Sequence, residues 1–370
     1  MKPVPNAKEG TETLESLLVD VLSAHHEFNH VIIELESTGF YGVHIANYLS
    51  ASNLLSPFGT EVYCLNPKEV AKYKESFNVI YKNDGIDSFV IADFARVGRI
   101  TIKPWHGTQY PALQRFTRHR LHIAECIARE KTYVLNNILF KLSEFAMLKN
   151  ENHPFNNKYG ATAQAILEQY ITNEDIIRAS IEELVELIES KSPYRLDKVV
   201  AKPITLSINS SFNCIRAFEK ELKAIEKTIE QTVKGINPVE YQVLKSISII
   251  GHTYATGILA EIGTLKAFSN NDALAKYCGI IWKENQSGNF RAEDTKMSKA
   301  GNRYLRYYII EATGSVINHC PEYKAFYGKK FAETTTHQHK RALELTSRKF
   351  LRMLFEPLDK RQLYSLEKSR

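Results

Sequence analysis

Two aspartates in the segment Tyr81–Arg99 have a spacing suited to metal binding. Asp84 and Asp87 lie three residues apart at the start of a predicted apolar helix, so both carboxylates leave one helix face. Such a pair offers the hard oxygen ligands that Mg²⁺ prefers. The same spacing also suits a structural role, in which Asp84 caps the helix and Asp87 completes a capping box. The spacing alone leaves both interpretations open.

A third carboxylate follows a predicted strand. Glu36 stands where the β-branched run Val31–Leu35 passes into Ser-Thr-Gly. Because α/β domains bind ligands at the carboxyl ends of parallel strands, Glu36 is a candidate partner for Asp84 and Asp87. Glu34 alternates to the same strand face and is a weaker candidate. A plain loop carboxylate is the alternative for Glu36. Together the acids predict part of a metal-holding cluster for phosphodiester chemistry.

The elements around these acids predict an α/β domain with a parallel sheet. A helix is predicted over residues 11–28, and strands over 31–35 and 60–66, each strand being followed by a helix. A third strand is possible at 100–104. Two or three strands are few for a self-standing sheet, so we expect part of it to be missing.

From about residue 109 to 238 the pattern is helical. Residues 208–232 carry apolar side chains at steps of three and four, once Ser211 is admitted to the seam. This coiled-coil-like seam predicts either two helices of one bundle or a dimer interface. Residues 235–238 then form a Gly/Pro break before the last third of the chain.

The last third of the chain is basic. Residues 241–370 hold 21 Lys and Arg against 12 Asp and Glu, within a chain of formal net charge +6. This imbalance favours a polyanionic partner, although a merely basic domain is the alternative. The five cysteines are scattered and the start of the chain has no signal-peptide pattern, so we expect reduced thiols and a cytoplasmic, soluble protein.

Several residues of this third could bind or cleave nucleic acid. The stretch 244–263 predicts a helical hairpin with a turn at Gly251, whose following amides could hold a phosphate. Ser287 lies in the turn sequence Gln286–Asn289, where a serine is usually structural but could serve as a nucleophile among basic neighbours. The candidate nucleic-acid ligands are Gly251, Arg291, Lys296, Lys299, Asn302, Arg303 and Arg306.

These residues resemble motifs of the insertion-sequence-110 and insertion-sequence-1111 transposases, DEDD-type relatives of the Piv DNA invertase. Residues 36–41 are similar to the E-x-T-G-x-Y element, and residues 82–87 to the K-x-D-x-x-D element. Residues 277–306 resemble the Y-x-G-L…Q-S-G…S-K-x-G-N-x-x-L-R signature of the C-terminal transposase domain. The hairpin departs from the usual P-G-I-G, with Ser248 and Ile249 at the first two positions.

The resemblance implies a RuvC-like, RNase H-type domain whose four acids bind Mg²⁺, and a C-terminal serine that attacks DNA. It implies that Glu36, Asp84 and Asp87 are three of the acids and that Ser287 is the serine. A structured guide RNA and a homo-oligomer, dimer or tetramer, are implied as partners beside DNA. The family's first acid has no counterpart, since Asp20 falls on the polar face of its helix. We therefore expect an N-terminally truncated domain, either because the reading frame begins at an internal methionine of a longer protein or because the element is truncated and decaying.

The expected fold is α/β plus all-α. Residues 1–108 would form an incomplete RuvC-like domain, 109–238 a helical, coiled-coil-like middle, and 239–370 a mostly helical transposase domain with a helix-hairpin-helix-like element. The expected function is a transposase or site-specific recombinase. The alternative is a nucleic-acid-binding remnant without chemistry, and a RuvC-type junction resolvase would leave the C-terminal signature unexplained.

Overall fold

The structure of the chain is a computed structural model. It describes residues 4–25, 27–37, 39–77, 83–98, 100, 102, 104–105, 107, 109–141, 159, 198–247, 249–282, 286–287, 290–291 and 296–364. The chain divides into two compact units. The first unit comprises Met1–Ala112, Glu261–Asn302 and Arg348–Lys360, and the second comprises Leu113–Ala260, Arg303–Ser347 and Arg361–Arg370.

Helices dominate the described residues, and two short sheets accompany them. The N-terminal elements are α1 (Lys8–Ala24), β1 (Ile32–Glu36), α2 (Val43–Ser50), β2 (Glu61–Leu65), α3 (Pro67–Lys74) and α4 (Asp84–Arg96). The elements that follow are α5 (Gln109–Lys141), α6 (Lys198–Ile236), α7 (Pro238–Ser246), α8 (His252–Ile262), α9 (Asn271–Cys278), β3 (Gln286–Ser287), β4 (Phe290–Arg291), α10 (Arg303–His319), α11 (Pro321–Ala332) and α12 (Gln338–Lys360). Single 3₁₀ turns lie at Ser56–Phe58 and Leu265–Ala267.

The predicted parallel pair of strands is confirmed. β1 pairs with β2 in parallel, with Ile33 opposite Val62 and Glu34 opposite Tyr63. Ile33 and Val62 therefore face one core, while Glu34 and Tyr63 face the other. The possible strand at 100–104 falls partly outside the described residues, but the adjoining Trp105 donates its amide to the Val62 carbonyl at 2.6 Å.

The two faces of this sheet pack on different helices. One face meets α1 and α2 in a core that includes Leu22, Ala46, Leu49 and Val62. The other face meets α3 and α4 in a core of Tyr63, Leu65, Val70, Val90 and Phe94. Because successive strand residues alternate between faces, Glu34 and Glu36 both lie on the α4 side of the sheet.

The apolar seam of α6 packs within the chain. Ile208, Phe212 and Ile215 form a buried cluster with Ile123 and other residues of α5. Ser211 is buried in the seam, as the spacing requires. The pairing of two helices of one bundle is therefore observed over this stretch, and the dimer interface stays a prediction.

In the part of the chain that the structure describes, no helix combines the length and apolarity needed to cross a bilayer. All five cysteines are free thiols. The α/β plus helical organisation expected from the sequence agrees with this mostly helical chain and its small parallel sheet.

Candidate active site and nucleic-acid interface

The cap of α4 is Asn83, and Asp84 is the first helical residue. The Asn83 side chain accepts a hydrogen bond from the Gly85 amide at 2.8 Å. The structural interpretation of Asp84 as the capping residue is therefore wrong, because its neighbour fills that role. The exposed Asp84 carboxylate stays a candidate ligand.

Asp87 forms an ion pair with Lys74 at the end of α3. Both side chains are partly buried, with 34% of Asp87 and 17% of Lys74 exposed. Such a pair is less screened by solvent than a surface pair. The carboxylate of Asp87 is therefore already neutralised by an ammonium group, a contact that the sequence spacing did not indicate.

Glu34 is a buried carboxylate without a hydrogen bond. Both of its carboxylate oxygens are buried and find no hydrogen-bond partner among the described residues. Burial raises the pKa of Glu34 to about 7. The backbone of Ala95 offsets part of that rise, although it does not meet the geometry of a hydrogen bond to the carboxylate. Ala95 lies roughly 12 Å along α4 from Asp87, at 1.5 Å per residue. Glu34 therefore does not join the aspartate pair.

The described carboxylates do not assemble a metal site. Among the described residues, no group of three or more His, Cys, Asp and Glu side chains lies close enough to hold a metal ion. Glu36 ends β1 and Asp84 opens α4, while Asp87 is occupied by Lys74. This arrangement does not fit a divalent ion.

The raised pKa of Glu34 predicts a pH-dependent stability. The protonated side chain stabilises the fold below the unfolded pKa of about 4.3, and this stability is lost as the pH rises through about 7. Glu34→Gln mimics the neutral acid, so its free energy of unfolding should exceed that of the parent by about 1–2 kcal/mol at pH 8. Near pH 4 the two should be equal.

Urea denaturation across this pH range measures the difference. Glu75→Gln removes an exposed carboxylate just after α3 and serves as the control, with no comparable pH dependence expected. A Glu34→Gln variant that is less stable than the parent at pH 8 would mean that the folded chain uses the charged form.

Ser287 lies in a β-hairpin. β3 and β4 pair antiparallel, with Gln286 opposite Arg291 and Ser287 opposite Phe290. The side chains of Ser287 and Arg291 lie outside the described part of the structure. A bridge between Trp282 and Met297 pairs the segments that flank the hairpin.

The segment after the hairpin runs back along the end of α9. The amides of Ser298, Lys299 and Asn302 donate to the carbonyls of Ile281, Gly279 and Tyr277 at 2.7–3.2 Å. Gly301 has a φ of 143°, and a Cβ there would lie 2.4 Å from the Tyr277 carbonyl oxygen. Only glycine allows this close approach, so the G-N pair of the signature has a structural reason.

Lys299 is exposed and adopts a φ of 52°, which is left-handed and unfavourable for a lysine. Glycine would adopt this conformation without strain. An unfavourable backbone conformation is often found at functional positions. Lys299 as a nucleic-acid ligand stays a prediction, as does Lys296, which is exposed on ordinary backbone.

Lys299→Gly should separate stability from binding. We expect a free energy of unfolding equal to that of the parent or up to about 1 kcal/mol higher, because the strain is removed. The dissociation constant for a DNA duplex should rise about fivefold, because one phosphate contact is lost. Chemical denaturation and fluorescence anisotropy give the two values. Unchanged affinity would remove Lys299 from the interface.

Asn302 makes contacts within the fold. Its side-chain Nδ2 donates to Glu261 Oε2 at 2.8 Å and lies 3.2 Å from the Tyr277 hydroxyl. Glu261 is only 1% exposed. The sequence did not single out Glu261, since it lies in an apolar helical stretch with no motif around it. A nucleic-acid contact by Asn302 stays a prediction, but its amide already holds a buried carboxylate.

Gly251 immediately precedes α8 in the connection from α7. The Gly251 carbonyl accepts from the Ala255 amide at 3.0 Å, and Ile250 donates to Ile247 at 2.8 Å. Ser248 lies outside the described residues. The amides of the first turn, from His252 on, have no carbonyl partner within the helix. Nothing lies within 4 Å of a Cβ at the exposed Gly251, so a phosphate could approach there.

A charge change at Gly251 tests this approach. Asp and Asn cap helices equally well and have nearly the same size, so Gly251→Asp and Gly251→Asn differ in charge alone. We expect Gly251→Asp to raise the dissociation constant for duplex DNA about tenfold at 100 mM salt, and Gly251→Asn to change it far less. Anisotropy measures both, and equal losses would argue against a phosphate at this helix.

Arg303 and Arg306 occupy the first turn of α10. Arg303 is exposed and Arg306 half-buried. The Arg303 guanidinium lies 4.7 Å from the centroid of the Tyr304 ring and its Nη2 donates to the Tyr304 hydroxyl at 2.8 Å. The structure therefore places an aromatic ring beside this predicted phosphate ligand, a combination common at nucleic-acid interfaces.

The sequence matches two transposase family models. Residues 2–140 match a DEDD transposase model of IS110 elements, and residues 241–328 match the model described as "Transposase IS116/IS110/IS902 family". No curated protein shows a significant match to the chain. The acidic candidates fall within the first matched region, and the candidates from Gly251 to Arg306 within the second.

These matches support a transposase function for a mobile element, with DNA as a partner. A DEDD transposase domain also implies a divalent-metal requirement in general. The chain therefore carries transposase domains of the IS116/IS110/IS902 family, one in its N-terminal region and one in its C-terminal third.

Proposed function

We propose that this chain cleaves and exchanges DNA strands during transposition of an insertion sequence. The observation that carries this proposal is the presence of both transposase domains in one chain, in the order that places the acids before the serine. Each domain alone would fit several roles. Together they favour a recombinase over a RuvC-type junction resolvase, which would not need the C-terminal domain.

In this proposal Ser287 is the nucleophile. Its Oγ attacks the scissile phosphorus, a deoxyribose oxygen of the adjoining nucleotide leaves, and the serine proton passes to a base. The product is a phosphoserine ester with DNA, which a free deoxyribose hydroxyl of another strand attacks to restore Ser287. The transposase model that matches residues 241–328 covers Ser287, and this supports the role.

Glu36, Asp84 and Asp87 are the acids of the RuvC-like, RNase H-type domain in this proposal, and Mg²⁺ is the ion that suits carboxylate oxygens. In this proposal a Mg²⁺ site would need a further ligand besides these three carboxylates. The described carboxylates do not form that site by themselves, and Asp87 is paired with Lys74.

The basic C-terminal region holds the DNA in this proposal. The helix start at Gly251 would act as a helix-hairpin-helix-like phosphate site, with Arg291, Lys296, Lys299, Arg303 and Arg306 as further contacts. Because such contacts release counterions, affinity should fall steeply as salt rises. A structured guide RNA and a homo-oligomer, dimer or tetramer, complete the proposal.

Strand exchange of supercoiled DNA that carries the element ends tests this function, with Mg²⁺ and the flanking RNA present. We expect Ser287→Ala to reduce exchange at least about 10³-fold and to abolish the covalent protein–DNA adduct seen after denaturation. Ser298→Ala, in the same compact unit, is the matched control and should keep the adduct. An adduct that persists in Ser287→Ala would assign the nucleophile elsewhere.

A second candidate function is nucleic-acid binding without chemistry. The ion pair between Asp87 and Lys74 favours it, as does the lack of a metal-ligand cluster among the described residues. Salt-sensitive DNA binding with no adduct in either the parent or Ser298→Ala would select this candidate.

A further inference from the structure

One face of α5 carries a row of basic and aromatic side chains. The positions recur at spacings that keep side chains on one side of a helix. This basic row consists of Arg115, Arg118, His119, His122, Arg129, Tyr133 and Phe140.

A neighbouring face of α5 packs within the chain. Ile123, Ile127, Val134 and Ile138 are buried there against α6. The basic row is therefore turned away from that core. Exposure agrees with this orientation, since the two aromatic side chains at the end of the row are each 62% exposed.

Two other cations of α5 lie on a different face of the helix. Arg120 and Lys131 point to α6, where they form ion pairs with Glu226 at 2.8 Å and Glu219 at 3.3 Å. The row itself contains no acidic residue, and Glu125 and Glu130 flank it. Its arginines are thus arranged along one outward face of the helix.

The basic row is continuous with the arginine-rich start of α10 in the same compact unit. The Arg118 guanidinium lies 4.5 Å from the centroid of the Tyr304 ring, and Arg303 lies 4.7 Å from the same centroid. The stacked rings of His119 and His122, with centroids 6.1 Å apart, follow along α5. Cations and flat rings therefore alternate along a single surface.

We propose that the basic row binds a single strand of DNA, and this inference rests on the proposed function, because strand exchange releases single strands. Arginines suit the phosphates, and the exposed rings of Tyr133 and Phe140 suit unstacked bases. A duplex keeps its bases stacked inside and would leave these rings without a partner. The row spans roughly 37 Å from Arg115 to Phe140, at 1.5 Å per residue, long enough to follow several nucleotides.

Anisotropy of labelled 20-nucleotide oligo(dT) with the full chain tests the proposal. Arg115→Glu with Arg129→Glu should raise the dissociation constant at least tenfold at 100 mM salt. The matched control is Lys223→Glu with Lys227→Glu on exposed positions of α6 in the same unit, which changes net charge equally and should alter affinity less than twofold. Equal losses in both pairs would overturn the proposal.

The aromatic end of the row gives a second, independent variant. Tyr133→Ala with Phe140→Ala should weaken oligo(dT) binding at least threefold and leave binding of a 20-base-pair duplex unchanged. Equal weakening of both ligands, or no weakening, contradicts the assignment to a single strand. A tenfold preference for oligo(U) would assign the surface to RNA, and a lower oligomeric mass in these variants would assign it to a second copy of the chain.

Failure of this proposal and failure of the proposed function are distinguishable. Oligo(dT) binding needs no cleavage, so Ser287→Ala should bind it like the parent. If the chain binds oligo(dT) through the basic row but forms no DNA adduct, only the recombinase function is contradicted. If the variant with Arg115→Glu and Arg129→Glu still forms the adduct and binds oligo(dT) as tightly as the parent, only the single-strand proposal for the basic row is contradicted.

Discussion

Asn302→Asp is expected to lower the free energy of unfolding by about 3–5 kcal/mol at pH 8, because it places a second carboxylate against a buried one. Asn302 Nδ2 donates to Glu261 Oε2 at 2.8 Å, and Glu261 is 1% exposed. The substitution removes the donor and adds a like charge. Lowering the pH to 4 should restore part of the loss, since one carboxyl can then take up a proton and donate.

The matched rescue is a reversal of the hydrogen bond. Adding Glu261→Gln to Asn302→Asp gives a Gln amide that donates to the new carboxylate, so the double variant should recover most of the stability. Urea denaturation of the parent, the single variants and the double variant measures the coupling. If the free energy of unfolding of the double variant is no higher than that of Asn302→Asp, the Glu261 contact does not stabilise the fold.

The same double variant separates the two roles of Asn302. If Asn302 acts only by holding Glu261, DNA affinity returns with stability. If its amide also meets a phosphate, the reversed pair places a carboxylate near that phosphate, and affinity stays low while stability returns. The structure supports the first role by direct contacts, whereas the sequence motif had indicated the second.

The N-terminal sheet was predictable from sequence because strand signals are local. The β-branched runs at 31–35 and 60–66 became β1 and β2 within one residue, in the parallel pairing expected from the intervening helix. The seam of α6 was also visible, down to the buried Ser211. Its partner was not, because the helix periodicity fixes which face is apolar but not which surface covers it.

The candidate site was predictable only in its residue types. Motif spacing identified Asp84 and Asp87, but the ion pair with Lys74 depends on how α3 and α4 pack together. The Asn83 cap was missed because Asp84 also suits that position. Glu261 had no sequence signal, since its importance lies in burial and in a partner 41 residues away.

Gly257→Ala is the second substitution with a large expected effect, a loss of about 3 kcal/mol of unfolding free energy. A Cβ at Gly257 in α8 would lie 2.5 Å from two carbons of the Tyr308 ring. That ring is fully buried, and its hydroxyl donates to the Thr117 carbonyl at 3.0 Å. The ring therefore cannot move aside without breaking the contact that joins α10 to α5.

Gly314→Ala is the matched control, because Gly314 also lies within a helix of the same unit but meets nothing within 4 Å of an added Cβ. This variant should gain about 0.5–1 kcal/mol, since alanine has the higher helix propensity. A loss of unfolding free energy in Gly257→Ala and a gain in Gly314→Ala would show that the close approach to Tyr308, and not the flexibility of glycine, explains Gly257.

Gly257→Ala combined with Tyr308→Leu should lower the free energy of unfolding by less than the sum of the single variants, because the smaller side chain leaves space for the methyl group. Strict additivity would mean that α8 and the Tyr308 ring are not in contact.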